Sequence, residues 1–251
     1  MPKIISVHSF RGGTGKSNIT ANIAALAAME GKRVGVIDTD ILSPGIHVLF
    51  GLDESKMVHS LNDYLWGKCA IEDTAHDVTP GLDADIKGKV MLIPSSIKPG
   101  EIARILREGY SVELLNDGLQ TLISKLKLDL LMIDTHPGLN EETLLSLAIA
   151  HILVIIMRPD QQDYQGTGVA VEVARKLDVP HMMLLVNKVP AVFSVDEVRA
   201  RVEQTYKCEV AAVLPHSDEM MVLGSSGIFV LRYPDHPVTG ILKQAAALLL
   251  R

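Results

Sequence analysis

The stretch "SFRGGTGKSN", Ser9 to Asn18, decides how the rest of the chain is interpreted. It follows an apolar run that begins at Lys3, and it leads into an Ala-rich segment with helical character. A glycine-rich turn between a strand and a helix directs backbone N–H groups and the helix dipole at one point, which suits a bound phosphate. The usual pattern G-x-x-x-x-G-K-[ST] has a glycine where this chain has Phe10, so the loop departs from it at the first position.

The remaining residues of the loop complete a nucleotide site. Gly12, Gly13 and Gly15 allow the backbone to approach an anion closely. Lys16 is predicted to reach the β- and γ-phosphates, and the Ser17 hydroxyl to bind Mg²⁺. The missing first glycine removes backbone freedom but none of the N–H groups that would contact phosphate. The loop therefore predicts a site for a nucleoside triphosphate.

The composition limits the fold. The chain has 251 residues, of which 47% are hydrophobic and only 4% aromatic. An aliphatic core of this kind is typical of parallel strands that helices cover on both faces. No linker, internal repeat or low-complexity segment interrupts the sequence, so we predict one domain over residues 1–251.

Charge, cysteine content and hydropathy exclude several classes of function. The formal net charge is −6, which does not suit a protein that binds nucleic acid over its whole surface. The two cysteines, Cys69 and Cys208, form no metal-binding or disulfide pattern. There is no apolar run of about 18 residues and no secretory signal pattern, so we expect a cytoplasmic protein that does not span a membrane.

Short apolar runs alternate with helical patterns along the whole chain. This alternation predicts an α/β fold with a doubly wound, mostly parallel sheet and helices on both faces. The predicted strands are Lys3–Ser9, Arg33–Ile37, Val90–Pro94, Leu128–Asp134, His151–Arg158, His181–Asn187 and Glu209–Leu214. The predicted helices are Asn18–Glu30, Pro99–Glu108, Ser111–Lys127, Glu141–Ala150, Tyr164–Leu177, Ser194–Tyr206 and Pro237–Leu250. The irregular segment from Asp53 to Gly88 is expected to form surface loops and a short helix containing Leu61–Trp66.

Carboxylates follow two of these strands. Asp38 and Asp40 end the run "VGVIDTD", and Asp134 ends "DLLMID". In an open parallel sheet, ligands bind beyond the carboxyl ends of the strands, where the loop also lies. We expect one of these aspartates to hold Mg²⁺, directly or through water, and another to position the attacking water. Each aspartate alone is also compatible with a strand-end or capping role, but their joint placement with the loop favours the site.

At this point the sequence resembles the MinD/ParA family of ATPases, whose altered phosphate-binding loop usually reads K-G-G-x-G-K-[ST]. The resemblance covers nearly the whole chain. Its most specific parts are residues 11–51, "DLLMIDTHPGLNEETL" at 129–144, "MLLVNKV" at 183–189 and "VLPHSDEM" at 213–220. It implies a P-loop NTPase fold with ATP or ADP and Mg²⁺ as ligands.

The resemblance also implies individual roles. Lys16 would bind phosphates within its own subunit, and Ser17 would bind Mg²⁺. Asp40 would be needed for hydrolysis, with Asp38 beside it in the first switch segment, and Asp134 would be linked to Mg²⁺ through water. The nucleotide-binding set would comprise Arg11, Gly12, Gly13, Thr14, Gly15, Lys16, Ser17 and Asn18 of the loop, with Asn187 at the adenine edge and Pro215 over the base. The metal set would comprise Ser17, Asp38 and Asp134.

The family acts as a nucleotide-controlled switch. ATP joins two subunits face to face, and the signature lysine reaches the partner's phosphates. An activating partner stimulates slow hydrolysis. The implied function is an ATP-hydrolysing dimerisation switch that positions or segregates a cargo such as a division site, a chromosome or plasmid, or a protein compartment. The alternative is a regulatory scaffold that binds nucleotide with little or no turnover.

Arg11 occupies the position of the signature lysine, and this departure leaves three interpretations. Arg11 can act on the partner's phosphates, since a guanidinium bridges two phosphate oxygens. The dimer geometry can instead differ, with Arg11 facing solvent. Hydrolysis can also be slow, so that the protein acts mainly as a binding switch. We favour the first, which makes Arg11 a catalytic residue of the neighbouring subunit.

The resemblance also implies that the dimer binds a large platform, which is a membrane or nucleoid DNA. The ending "HPVTGILKQAAALLLR" has few basic residues and is interpreted as a core helix, so membrane binding through this tail is not expected. Nonspecific DNA binding through scattered arginines and lysines is kept as a minor hypothesis.

Iron–sulfur carriers share the loop, but the two cysteines here do not suit such a role. His136 is interpreted as a spacer in the second switch segment rather than as a catalytic residue.

Overall fold

A computed structural model describes residues 2–82 and 84–251, and within them an eight-stranded sheet carries helices on both faces. The strands are β1 Lys3–His8, β2 Arg33–Asp38, β3 His76–Asp77, β4 Lys89–Ile93, β5 Leu130–Asp134, β6 Ile152–Met157, β7 His181–Val189 and β8 Glu209–Pro215. The α-helices are α1 Lys16–Met29, α2 Ile46–Leu49, α3 Leu61–Leu65, α4 Pro99–Glu108, α5 Val112–Lys125, α6 Glu141–Ala148, α7 Gln161–Lys176, α8 Val195–Tyr206, α9 Asp218–Leu223, α10 Phe229–Arg232 and α11 Pro237–Leu249.

The strands follow the order β3-β4-β2-β5-β1-β6-β7-β8. All pairs are parallel except β3 with β4, which is antiparallel. The doubly wound, mostly parallel fold and the seven predicted strands are therefore confirmed. The sequence did not predict β3, because a two-residue edge strand has no hydrophobic periodicity of its own.

Alternate residues of each strand face different layers of the core. In β2, Val34 and Val36 pack under α1, α2, α10 and α11, whereas Ile37 packs under α3 and α5. The far part of the second face, over β6, β7 and β8, is covered by α7 and α8. This burial on both faces explains why the strands appear as unbroken apolar runs.

Helix α1 is buried along almost its whole circumference, from Ile19 to Ala28. It lies on the sheet and is in turn covered by α2, α10 and α11. Small residues such as Ala24 and Ala25 let these layers approach closely. In α11, the apolar residues Val238, Leu242 and Leu249 are buried, so the interpretation of the last helix as a core helix is confirmed.

The irregular segment from Asp53 to Gly88 was predicted only in part. The short helix over Leu61–Trp66 is present as α3. Several apolar side chains of the segment are buried in the core rather than lying in surface loops, among them Ile71 and Val78. One residue of the segment, Asp83, lies outside the described residues.

Strand β1 lies between β5 and β6, so the chain winds in opposite directions on its two sides. A crevice opens beyond the carboxyl end of a strand at such a switch point, and ligands of open α/β sheets bind there. The loop "SFRGGTGKSN" follows β1 and lies at this place.

Among residues 2–82 and 84–251, the structure has no helix long and apolar enough to cross a membrane.

Candidate functional site

The phosphate-binding loop turns through two glycines with positive φ. Gly13 has φ +77° and Gly15 has φ +96°, and helix α1 begins directly after Gly15, at Lys16. A Cβ atom at Gly15 would lie 2.5 Å from the side-chain nitrogen of Asn187. Gly13 is thus required for the turn. Gly15 is required both for the turn and for the close approach of Asn187 in β7.

Lys16 and Asp134 face each other at the base of the loop. The Lys16 ammonium lies 3.4 Å from Asp134 Oδ1, and the two side chains are 8% and 1% exposed. Thr20 Oγ1 lies 3.5 Å from the same oxygen. Burial raises the pKa of Asp134, while Lys16 and the Ser17 hydroxyl oppose the rise. The predicted pairing of loop and strand-end carboxylate is therefore present in the structure.

Asp38 lies beside Asp134, because the two residues are in register on the neighbouring strands β2 and β5. Its Oδ1 accepts from the Asp40 amide at 3.0 Å, and its Oδ2 accepts from the Gly45 amide at 3.1 Å. Burial, with the nearby charges of Asp134 and Asp40, raises the pKa of Asp38 to about 8. In this structure Asp38 holds the loop that follows β2 together through both oxygens.

Asp40 receives three hydrogen bonds on one oxygen. Its Oδ1 accepts from the Ser43 amide at 3.1 Å, from the Ser43 hydroxyl at 3.0 Å and from His136 Nδ1 at 2.6 Å. Since a carboxylate can only accept, Nδ1 of the imidazole carries the proton. The contact between His136 and Asp40 joins the loop that follows β5 to the loop that follows β2.

The contact of His136 with Asp40 was not predicted from the sequence. A residue two positions after Asp134 was expected to be a spacer, yet the imidazole contacts the aspartate predicted to be needed for hydrolysis. Asp40 follows Asp38 by two residues, in "DTD", and His136 follows Asp134 by two residues, in "DTH". This equal spacing indicates a contact only when β2 and β5 are known to be neighbours in register.

A second histidine lies beneath the loop. His8 ends β1, is fully buried and lies 2.9 Å from Thr135 Oγ1 through its Nδ1. Burial, with the charges of Lys16 and His136, lowers the pKa of His8 to about 3. His8 therefore stays neutral at physiological pH and adds no positive charge beneath the loop.

Asn187 and Lys188 connect the end of β7 to the loop. The Asn187 amide nitrogen donates to Thr14 O at 2.8 Å, and Lys188 Nζ donates to Gly13 O at 2.9 Å. The Asn187 amide keeps a second N–H and a second lone pair on its oxygen for a ligand. It lines a cleft of about 240 Å³ together with Asn18 and Pro215. Four of the residues predicted to contact the nucleotide, Gly15 included, are therefore gathered around one cavity.

Arg11 turns towards its own chain. Its Nη1 lies 3.1 Å from Asp163 Oδ1 and 3.4 Å from Asp160 Oδ1, at the start of α7. Arg158 also pairs with both aspartates. These ion pairs could not be predicted from the local sequence, because they depend on the position of α7 next to the loop. The Arg11 side chain is 37% exposed, so part of it remains accessible.

Phe10 packs against Gly166 of α7. A Cβ atom at Gly166 would lie 2.1 Å from the Phe10 ring, so the ring occupies the place of a side chain on the helix. The aromatic residue at the first position of the loop pattern thus gains a packing contact. Its effect is more than a loss of backbone freedom.

The loop fits a nucleotide because it carries buried polar atoms without partners. Within the described residues, Thr14 Oγ1, Asn18 Oδ1 and His8 Nε2 are buried and form no hydrogen bond. Such atoms are rare in folded proteins because each costs about 1–3 kcal/mol unless a partner satisfies it. Thr14 and Asn18 lie in the loop and the first turn of α1, where a bound phosphate or nucleoside would supply partners.

The same site fits Mg²⁺ in its usual protein environment. The carboxylates of Asp38, Asp40 and Asp134 lie close to one another, and the Lys16 ammonium lies near those of Asp38 and Asp134. The part of the chain that the structure describes contains no group of three His, Cys, Asp or Glu side chains able to enclose a metal alone. Mg²⁺ is commonly held by one or two protein oxygens together with phosphate oxygens and water, which these residues can provide.

This combination of a central strand, a glycine loop, a helix that starts at the lysine and a neighbouring strand-end aspartate defines a P-loop NTPase. The chain belongs to the ParA family of these proteins, because the family model described as "NUBPL iron-transfer P-loop NTPase" matches residues 1–249. The resemblance drawn from the sequence is thereby confirmed.

Individual relatives carry different names. An uncharacterized ATP-binding protein of Methanocaldococcus jannaschii is 28% identical over 247 residues, covering 98% of this chain and 87% of that protein. An iron–sulfur cluster carrier protein of Pyrococcus abyssi is 26% identical over 192 residues, covering 73% and 60%. The septum site-determining protein MinD of Pyrococcus horikoshii, solved with Mg-ADP, has a TM-score of 0.80 at 19% identity, covering 99% of this chain and 96% of MinD. This last match concerns the fold.

The two cysteines do not meet within one chain. Cys69 precedes β3 and Cys208 precedes β8, and these strands form opposite edges of the sheet. The thiol pKa of each is raised by burial, which disfavours the thiolate that binds metal. A cluster site built from both cysteines of one subunit is therefore excluded by the topology.

Proposed function

We propose that this protein is an ATP-hydrolysing dimerisation switch of the MinD/ParA type that positions or segregates a cellular cargo. The observation that carries the proposal is the group formed by Lys16, Asp134 and Asp40, at the carboxyl ends of β1, β5 and β2 and beside the glycine loop. Hydrolysis by this family needs a phosphate cradle, a cation and a residue that positions water. The group offers all three.

Each residue has a defined task in this proposal. The backbone N–H groups from Gly12 to Ser17 and the Lys16 ammonium bind and orient the phosphates. Asp40 accepts a hydrogen bond from the attacking water and fixes its direction. Ser17 and Asp134, with Asp38 behind them, would hold Mg²⁺, which supplies neutralisation of phosphate charge when bound. Asn187 and Pro215 would border the adenine in the cleft beside α9.

Arg11 is assigned to the phosphates of the neighbouring subunit in a homodimer formed with ATP. To reach them, its guanidinium would exchange Asp163 and Asp160, both of which it contacts through Nη1, for phosphate oxygens. Because both acceptors are anionic, the exchange keeps the arginine's charge compensated. An activating partner protein is expected to promote hydrolysis, and nonspecific DNA stays a candidate platform.

The second candidate is a regulatory scaffold that binds nucleotide with little or no turnover. The ion pairs of Arg11 within its own chain favour it, because an arginine held there contributes nothing to another subunit's site. An iron–sulfur carrier is the third, and the family description and the Pyrococcus abyssi relative are its support. It would need cysteines from two subunits.

Phosphate release with saturating Mg-ATP tests the proposal. We expect slow turnover by the wild type, loss of ATP binding and turnover in Lys16→Ala, and retained binding with lost turnover in Asp40→Ala. Lys56→Ala, an exposed lysine away from the site, is the matched control and should equal the wild type. ATP binding without turnover by the wild type would favour the scaffold, and no ATP binding would exclude both.

A further inference from the structure

The contact between His136 and Asp40 follows from the register of the sheet. Asp38 and Asp134 are partners on parallel strands β2 and β5, and each strand ends at its aspartate. The chain then continues by two residues on each strand, to Asp40 and to His136. The amide of Thr39 donates to Asp134 O at 2.9 Å, which keeps the two segments side by side beyond the strands. The imidazole therefore meets the carboxylate at 2.6 Å.

The hydrogen bonds of Asp40 are divided unequally between its two oxygens. Oδ1 accepts from the Ser43 amide, from the Ser43 hydroxyl and from His136 Nδ1. Within the described residues, Oδ2 accepts none. The two Ser43 donors belong to the same segment as Asp40 and move with it. His136 is the donor from outside, and it therefore fixes the carboxylate relative to β5 and the Lys16–Asp134 pair.

We propose that His136 is a positioning residue for ATP hydrolysis: its Nδ1–H holds Asp40 through Oδ1, so that Oδ2 is presented to the attacking water. The inference rests on the proposed function, because Asp40 has this task only if the protein hydrolyses ATP. No proton is transferred by His136, and no bond of the substrate is made or broken by it. Its contribution is to limit the orientations of Asp40, since a small displacement of a catalytic group lowers the rate strongly.

A purely structural role for His136 predicts different consequences. Its side chain is 25% exposed and borders an open cleft of about 190 Å³ near Leu42 and Leu106, so its removal leaves no closed cavity. Asp40 would keep both donors from Ser43. We therefore expect substitutions of His136 to spare the fold and ATP binding and to lower kcat.

Two amide variants separate the donor from the rest of the ring. In His136→Asn, the side-chain amide N–H can occupy the place of Nδ1, whereas in His136→Gln the amide lies one bond further out, near the place of Nε2. We expect His136→Ala and His136→Gln to lower kcat about tenfold or more, and His136→Asn to stay within about threefold of the wild type, with KM for ATP within about twofold in all.

Steady-state phosphate release, with His181→Ala as the control on an exposed histidine at the other end of β7, measures these values. Equal kcat for the Asn and Gln variants, or a raised KM with unchanged kcat, overturns the inference while the proposed function stands. If the wild type hydrolyses no ATP, the proposed function fails and the inference with it. Should His136→Ala not fold, the Asn and Gln pair decides.

Discussion

At the scale of single residues, two substitutions in the phosphate-binding loop have different consequences. Phe10 replaces a glycine and packs on Gly166, so its effect is on the attachment of the loop to α7. Arg11 replaces the signature lysine of the MinD/ParA pattern and pairs with Asp163 and Asp160. The side chains of both residues make these contacts with α7, whereas Lys16 pairs with Asp134. The departures from the usual motif therefore bear on neighbouring elements and subunits more than on the affinity for phosphate.

Replacing Arg11 by alanine tests its assignment. We expect Arg11→Ala to bind ATP within about threefold of the wild type and to lose ATP-dependent dimerisation or about tenfold or more in turnover, because the cation for the partner's phosphates is missing. Arg11→Lys, which restores the usual residue, should recover most of the activity. Nucleotide affinity is read by calorimetric titration. Loss of ATP binding in Arg11→Ala would show that the arginine acts in its own subunit.

At the scale of elements, the packing of the loop on α7 connects the nucleotide site to the second half of the sheet. The strands β1 and β6 are neighbours, and α7 begins shortly after β6, so its first turns lie next to the loop. Phe10 and Arg11 both use this proximity, one through an apolar contact and the other through ion pairs. The loop is thereby attached to α7 by two independent contacts.

Gly166→Ala tests the packing part of this connection. The added methyl would overlap the Phe10 ring, and we expect the free energy of unfolding to fall by about 1–3 kcal/mol, as is common for overpacked positions. Gly168→Ala in the same helix is the control, since its Cβ would lie an ordinary 3.9 Å from Tyr206, and it should be neutral or stabilising. Urea unfolding measures both. Equal stability of the two variants would contradict the packing described for Phe10.

The elements themselves could be predicted from sequence, and so could the placement of the glycine loop beside the strand-end aspartates, whereas other contacts between elements could not. Buried strands such as β5 appear as continuous apolar runs, and the loop and the strand-end aspartates carry local motifs. The pair of His136 with Asp40 depends on β2 lying next to β5 in one register, and the pair of Arg11 with Asp163 depends on β1 lying next to β6. Strand order is a property of the whole chain, so neither contact can be inferred from the local sequence alone.

At the scale of the whole molecule, the site concentrates buried charge at one end of the sheet. Asp38 and Asp134 lie side by side and share Lys16 as their nearby cation. Without nucleotide or Mg²⁺, this arrangement favours a proton on the pair, and it gives the empty protein a dependence on pH that the loaded protein should lack. Stability and ligand binding are in this way linked through the same carboxylates.

We expect the free energy of unfolding of the nucleotide-free protein to fall by on the order of 2 kcal/mol between pH 6.5 and 8. Because the pKa of Asp38 is raised to about 8, the folded protein keeps a proton in this range that the unfolded chain has lost, so stability decreases as the pH rises. Below about pH 6.5, the lowered pKa of His8 adds a contribution of opposite sign, which offsets that of Asp38, since only the unfolded chain gains the histidine proton.

Urea unfolding at several pH values without Mg²⁺ checks this dependence. Asp38→Asn cannot titrate at this position and should lose most of the slope between pH 6.5 and 8, even though it removes an acceptor for Gly45 and lowers the overall stability. Constant or rising stability of the wild type over this range would contradict the raised pKa.

The central claim is that ATP controls the association of two copies of this chain. Light scattering of the purified protein with Mg-ADP and Mg-ATP measures it most directly, with Asp40→Ala included because slowed hydrolysis should preserve the ATP state. We predict the mass of a monomer with ADP for both proteins, and twice that mass with ATP for Asp40→Ala, whose dimer outlasts that of the wild type. An unchanged mass in ATP for both proteins, under conditions where ATP is bound, would contradict the account.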